Sequence, residues 1–201
     1  MKKNQKAIKY FKEHDKILFS VAEKIESIKE LQSDEPNNYF FRLCRSIIGQ
    51  QLASKASNVI CSRFQKLFSG KVTPRKILNI SLKKMRSVGL SEAKVGYIKN
   101  LAQKIVDKDL KLDDFKNLDN QQIIEELTKV KGIGSWTAEM FLMFTLARED
   151  VFSHGDLGLR KAIKKIYGFK KEPTQKQAEK ISRKWMPYRT YACLVLWKSL
   201  D

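Results

Sequence analysis

Two stretches of this chain hold residues whose types and spacing can do chemistry. One is the hairpin Val130-Lys131-Gly132-Ile133-Gly134, and the other is Asp156, which follows Gly134 by 22 residues. Glycine reaches positive φ at little steric cost, so Gly132 and Gly134 allow a sharp turn with N–H groups open to an approaching anion. Residues from Ser135 to about Leu146 read as a helix that starts at once, and its N-terminal dipole adds partial positive charge there. With Lys131 and Ile133 completing the turn, the arrangement suits a phosphate of a nucleic-acid backbone and is blind to base sequence. Asp156 lies in Ser153-His154-Gly155-Asp156-Leu157-Gly158, ahead of the helical run 159–167. It reads as a helix N-cap and, compatibly, as a candidate catalytic carboxylate favoured in its charged form by N–H donors and the helix N-terminus.

The elements that must position these groups are helical. Ile8, Phe11, Ile17, Leu18, Val21, Ile25 and Ile28 recur at helical spacing, and no alternating strand pattern exceeds a few residues. Pro36 marks the first turn of a helix, Thr73-Pro74 repeats that signal, and Ser81, Ser91 and Asp156 are candidate N-caps. About ten to twelve helices follow, hence an all-α fold of two helical subdomains. Residues 1–40 form N-terminal helices packing with the C-terminal subdomain, 41–150 a subdomain containing the hairpin, and 151–201 C-terminal helices with the aspartate loop. Ser87-Val88-Gly89-Leu90-Ser91 reads as an ordinary helix connection, with a second backbone contact as its alternative.

Charge points to the same partner. The net charge is +18, of which residues 41–104 carry +13 and residues 160–201 carry +9. Two basic segments around a less basic centre suggest a cleft with cationic walls for double-stranded DNA. Cys44, Cys61 and Cys193 are far apart and odd in number, which indicates buried structural thiols rather than a disulfide framework or a metal site. The N-terminus lacks an apolar run of signal-peptide length, and no segment has the roughly 18 apolar residues of a membrane span. The expectation is an intracellular monomer acting on chromosomal DNA.

The hairpin, Thr137-Ala138 after it and Asp156 downstream together resemble the helix-hairpin-helix DNA glycosylase superfamily. Three further stretches look like its alkylpurine, or 3-methyladenine type II, branch: Ile47-Ile48-Gly49-Gln50-Gln51-Leu52, Gly89-Leu90-Ser91-Glu92-Ala93-Lys94, and Trp185-Met186-Pro187-Tyr188-Arg189-Thr190-Tyr191-Ala192 with Trp197. The likeness runs from about residue 40 to the C-terminus. Lys131 departs from the proline usual in the family, which loosens the turn slightly and adds a cation beside the phosphate.

The resemblance implies a monofunctional glycosylase of base excision repair that hydrolyses the N-glycosidic bond of 3-methyladenine or 7-methylguanine type purines. Asp156 would face the deoxyribose C1′, stabilise oxocarbenium character and orient the attacking water. A cationic alkylated purine leaves without a general acid. Family members that also cleave the strand carry a lysine where Trp136 stands, so no Schiff-base capture is expected. Trp136, Met140 and Met143 share one helix face, where Trp136 is expected to border the base pocket and attract an electron-poor base. Met140 is a lesser pocket candidate, with core packing as its alternative, and Met143 shares that alternative. Trp185 is either a second pocket aromatic or buried structure, and Trp197 reads as core. Gln50 and Gln51 match the segment that fills the gap left by a flipped base, with Gln51 the expected wedge, while Leu52 is expected in the core. His154 reads as a loop histidine touching phosphate or solvent. The expected cofactor list is empty: no iron–sulfur cluster, no catalytic metal, and only a monovalent cation considered at the hairpin. The alternatives are a non-catalytic helix-hairpin-helix DNA-binding protein and a glycosylase for another damaged base, including a lyase-competent one.

Overall fold

A computed structural model describes residues 1–200, and among them there are twelve α-helices, two short 3-10 helices and no strand. The helices are α1 Lys3–His14, α2 Lys16–Ala22, α3 Pro36–Gly49, α4 Ser54–Lys66, α5 Pro74–Asn79, α6 Leu82–Arg86, α7 Glu92–Val106, α8 Asn120–Thr128, α9 Ser135–Phe144, α10 Leu157–Tyr167, α11 Gln175–Ser182 and α12 Arg189–Lys198. Local rules explain most starts. Thr73, Ser81, Ser91 and Asp156 each accept a backbone N–H of the helix they precede, and Pro36 and Pro74 occupy first turns.

The chain forms two compact units, Asp34–Phe141 and a second made of Met1–Ser33 with residues from Leu142 onward. The divisions fall at 33/34 and within α9, where the sequence draws them at 40 and 150. In the 34–141 unit, α3 and α5 pack on α7. Leu43, Ile47, Ile48, Phe64, Ile77, Ile98 and Leu101 bury completely there, and Phe141 meets Tyr39 and Phe115 edge to face. Burial of such side chains contributes roughly 1.5–3 kcal/mol each before entropy is counted.

In the other unit, Phe11 of α1 and Leu18 of α2 are buried, and both helices pack against C-terminal elements. Asp15 ties the distant segments together. It caps α2 through Leu18 N–H (3.1 Å) and accepts from Tyr167 Oη (2.7 Å) and Trp185 Nε1 (3.0 Å). Three donors compensate a carboxylate that would otherwise be costly to bury. Burial, reinforced by the Asp15 carboxylate, pushes the Tyr167 hydroxyl pKa up, so Tyr167 stays a donor. Cys44, Cys61 and Cys193 are buried free thiols. Among the described residues, no helix is long and apolar enough to cross a membrane.

Candidate active site

The hairpin closes at its base through Ile133 N–H donating to Val130 carbonyl at 3.0 Å, and the Ile133 side chain is buried. Ile133 is therefore structural and does not offer its N–H outward, contrary to its place among the expected DNA contacts. Gly132 has φ +89, and a Cβ there would lie 2.3 Å from the Tyr97 ring of α7. Conformation and close approach both require glycine. Lys131 N–H donates to Asn100 Oδ1 at 3.0 Å, and Lys131 is exposed. Gly134 stands just ahead of α9, and a Cβ there would meet nothing within 4 Å. No hydrogen bond among the described residues takes up the N–H of Gly132 or Gly134. Gly134, directly before Ser135, brings no side chain to the positively polarised start of α9.

Gln50 differs from its expected role. Its Nε2 donates to Gly132 carbonyl at 2.8 Å and lies 3.4 Å from Thr137 Oγ1, so the side chain braces the hairpin instead of reaching outward. Gln51 is exposed, with φ +58. Leu52, expected in the core, is 38% exposed, because α4 begins only at Ser54 and the preceding residues turn tightly. On α9, Trp136 is 45% exposed, Met140 is half-buried and Met143 is fully buried. The face thus grades from surface to core along the helix.

Asp156 caps α10 and is nearly buried. Its Oδ1 accepts Leu159 N–H at 2.8 Å and Trp197 Nε1–H at 3.1 Å. Trp197 is therefore a positioning residue for this carboxylate, not the plain core residue that the sequence suggests. Gly158 makes room: a Cβ there would lie 3.1 Å from Asp156 Oδ1 and 3.3 Å from Trp197 Cδ1. The Trp197 ring packs against Phe144, with centroids 5.9 Å apart, and Phe144 is 45% exposed. Sequence reasoning missed this pair. The available signal was a phenylalanine closing a helix in front of the aspartate loop.

The C-terminal motif holds that loop. Thr190 Oγ1 donates to Arg148 carbonyl (2.6 Å) and accepts Val151 N–H (3.0 Å), and Arg189 grips Asp150 with Nε at 2.6 Å and Nη2 at 3.0 Å. A bidentate guanidinium fixes direction as well as distance. Trp185 is completely buried, bonded to Asp15 and packed on Phe152. This corrects its candidacy for the base pocket: its indole N–H is already used in the core. His154 packs its ring edge on Phe152 at 5.1 Å, and its Nδ1 is buried without a hydrogen-bond partner. Burial, aided by Arg189 and opposed by Glu179, lowers its pKa from 6.5. At neutral pH the ring is uncharged, which makes it a poor partner for phosphate.

A two-glycine hairpin ahead of one helix and a carboxylate that caps another are the arrangement of a helix-hairpin-helix protein of the base-excision class. The chain belongs to the HhH-GPD superfamily of base excision DNA repair proteins, whose family pattern matches residues 44–188. It is 34% identical over 174 residues to DNA-3-methyladenine glycosylase 1 of Schizosaccharomyces pombe, covering 85% of this chain and 75% of that protein. Its fold superposes on the S. pombe 3-methyladenine DNA glycosylase Mag1, solved in complex with abasic DNA, with a TM-score of 0.86, 32% identity and 96% of each chain covered. A DNA-3-methyladenine glycosidase from Bacillus halodurans matches with a TM-score of 0.84 and 35% identity, covering 96% of this chain and 88% of that one.

Proposed function

We infer that the protein is a monofunctional DNA glycosylase of the 3-methyladenine type, hydrolysing the N-glycosidic bond of alkylated purines in DNA during base excision repair. The observation that carries the reading is Asp156, whose Oδ1 is held by Leu159 N–H and Trp197 Nε1–H at the start of α10. A carboxylate fixed in this way stabilises positive charge developing at C1′ and directs a water to it, without reorganising during the reaction. The leaving base of an N3- or N7-alkylated purine is already cationic, so no acid is needed to expel it. Position 136 carries an indole instead of an amine, which supports hydrolysis by water over covalent capture of the sugar.

In this reading the N–H groups of Gly132 and Gly134, with Lys131, hold a phosphate, and Gln51 fills the space vacated by the flipped nucleotide. Trp136 borders the base with Met140 beside it, and the Phe144–Trp197 pair lies next to the carboxylate. A cation over an aromatic face is favoured by about 2 kcal/mol when desolvated, which prefers alkylated over normal purines. We propose that the protein acts as a monomer, where the chromosomal DNA is, and without a resident cofactor. The test is release of free 3-methyladenine and 7-methylguanine from alkylated duplex DNA, with borohydride trapping in parallel. The reading expects base release and no trapped adduct. Binding without release would leave a DNA-binding module, and an adduct would indicate a lyase.

A further inference from the structure

The turn after α3 adopts an unusual form, and one side chain holds it there. Leu52 N–H donates to Gly49 carbonyl at 3.1 Å, Gln50 has φ −53 and ψ +130, and Gln51 has φ +58. These are the values of a type II β-turn, whose third position normally carries glycine or asparagine because of its positive φ. Here that position is glutamine. In a type I turn over the same four residues the central peptide is flipped, Gln51 returns to negative φ without strain, and its side chain leaves in another direction.

The oxygen that distinguishes the two forms is the Gln50 carbonyl, and Lys94 Nζ donates to it at 2.7 Å. The same ammonium also donates to Ile48 carbonyl at 2.9 Å, so it sits on the C-terminal end of α3, where the helix dipole favours a cation. Lys94 projects from α7 one turn before Tyr97 and two turns before Asn100, the residues that support the hairpin from the same helix. Gln50, in turn, spans from this turn to Gly132.

We propose that Lys94 is a positioning residue for base flipping. Its ammonium locks the Gln50–Gln51 peptide in the strained orientation that aims Gln51 into the duplex, and α7 holds this turn in fixed register with the phosphate-gripping hairpin. The proposal rests on the glycosylase reading above and on Gln51 as the wedge. It predicts an effect on extrusion rather than on bond cleavage or backbone grip.

The experiment compares single-turnover release of 7-methylguanine from a duplex in which the lesion is paired and from one in which it is unpaired in a bulge. Lys94→Met is expected to slow the paired substrate at least tenfold and the bulged one less than threefold, with affinity for undamaged duplex within twofold. Lys94→Arg, which keeps a charged donor, should recover much of the loss. Combined with Gln51→Ala, Lys94→Met should add nothing to the single glutamine variant, because both act on one step. Equal slowing on both substrates, or additive losses, would overturn the proposal. If Lys94→Met does not fold, Lys94→Gln serves with the same ratio expected. Extrusion is also followed by the fluorescence of 2-aminopurine beside the lesion. If the unaltered protein released no base, the glycosylase reading would fall, while a fluorescence rise lost in the Lys94 variant would still uphold the lysine's role. A rise unchanged by that variant would refute it.

Discussion

The starts of α9 and α10 share the same local physics and are finished in opposite ways. Each is a helix N-terminus with orphan N–H groups and a positive dipole end. At α10 the protein fills its own site, since Asp156 caps the helix and takes a further bond from Trp197. At α9 the preceding residue is Gly134, which has no side chain with which to cap, and nothing stands where one would project. One start carries a carboxylate from the residue before it; the other is preceded by a residue with no side chain at all. In the proposed function this difference assigns chemistry at the sugar to the α10 start and grip on the backbone to the α9 start.

Variants can break that contrast, and the largest effect is expected at Gly132. Gly132→Ala forces a side chain into positive φ and into the Tyr97 ring, a cost of roughly 2–5 kcal/mol. Thermal denaturation should show it as a clear fall in Tm, together with lost DNA binding. Gly134→Asp makes the start of α9 resemble that of α10. It fits sterically and caps the helix, so Tm should hold, while the carboxylate displaces the phosphate. Loss of a charge-assisted bond of about 1.5–3 kcal/mol weakens duplex affinity by roughly 10- to 150-fold. Titration with duplexes of different sequence should show equal losses, and a loss confined to one sequence would refute backbone recognition. Trp197→Phe removes only the indole donor to Asp156, and single-turnover release should slow about tenfold while duplex affinity is kept.

The smallest effect lies at His154. Its folded pKa is depressed by burial, so the unfolded chain takes up a proton first, and stability present above pH 6.5 is lost as pH falls through the folded value. In His154→Gln this acid-side loss should shrink when urea midpoints are compared above and below pH 6.5. Identical pH dependence in both proteins would remove the buried-ring argument.

What the sequence made legible was local. Thr73, Ser81, Ser91 and Asp156 cap the helices they precede because capping depends on three neighbouring residues, and the two-glycine hairpin declares itself by composition. The contacts between distant residues were not legible. Nothing in the spacing of Asp156 and Trp197 reveals an indole N–H on a carboxylate 41 positions away, or why Gly158 must lack a Cβ. Trp185 could be a pocket wall or a core residue by type alone, and its buried bond to Asp15 places it in the core. An acid set between the apolar Phe11 and Leu18 was the available hint. The basic excess was likewise read as surface for DNA, yet Lys76, Lys94 and Lys99 each donate to two backbone carbonyls of their own unit. Charge counts do not separate a cation that meets phosphate from one that ends a helix.

The central claim is that Asp156 does the chemistry while the hairpin does the holding. Asp156→Asn keeps a good N-cap and the shape of the side chain but removes its charge. Single-turnover release of 7-methylguanine, measured beside affinity for an abasic duplex, tests the claim most directly. The account predicts a rate loss on the order of 10³-fold with affinity changed less than threefold. Retained base release, or a matching loss of affinity, would contradict it.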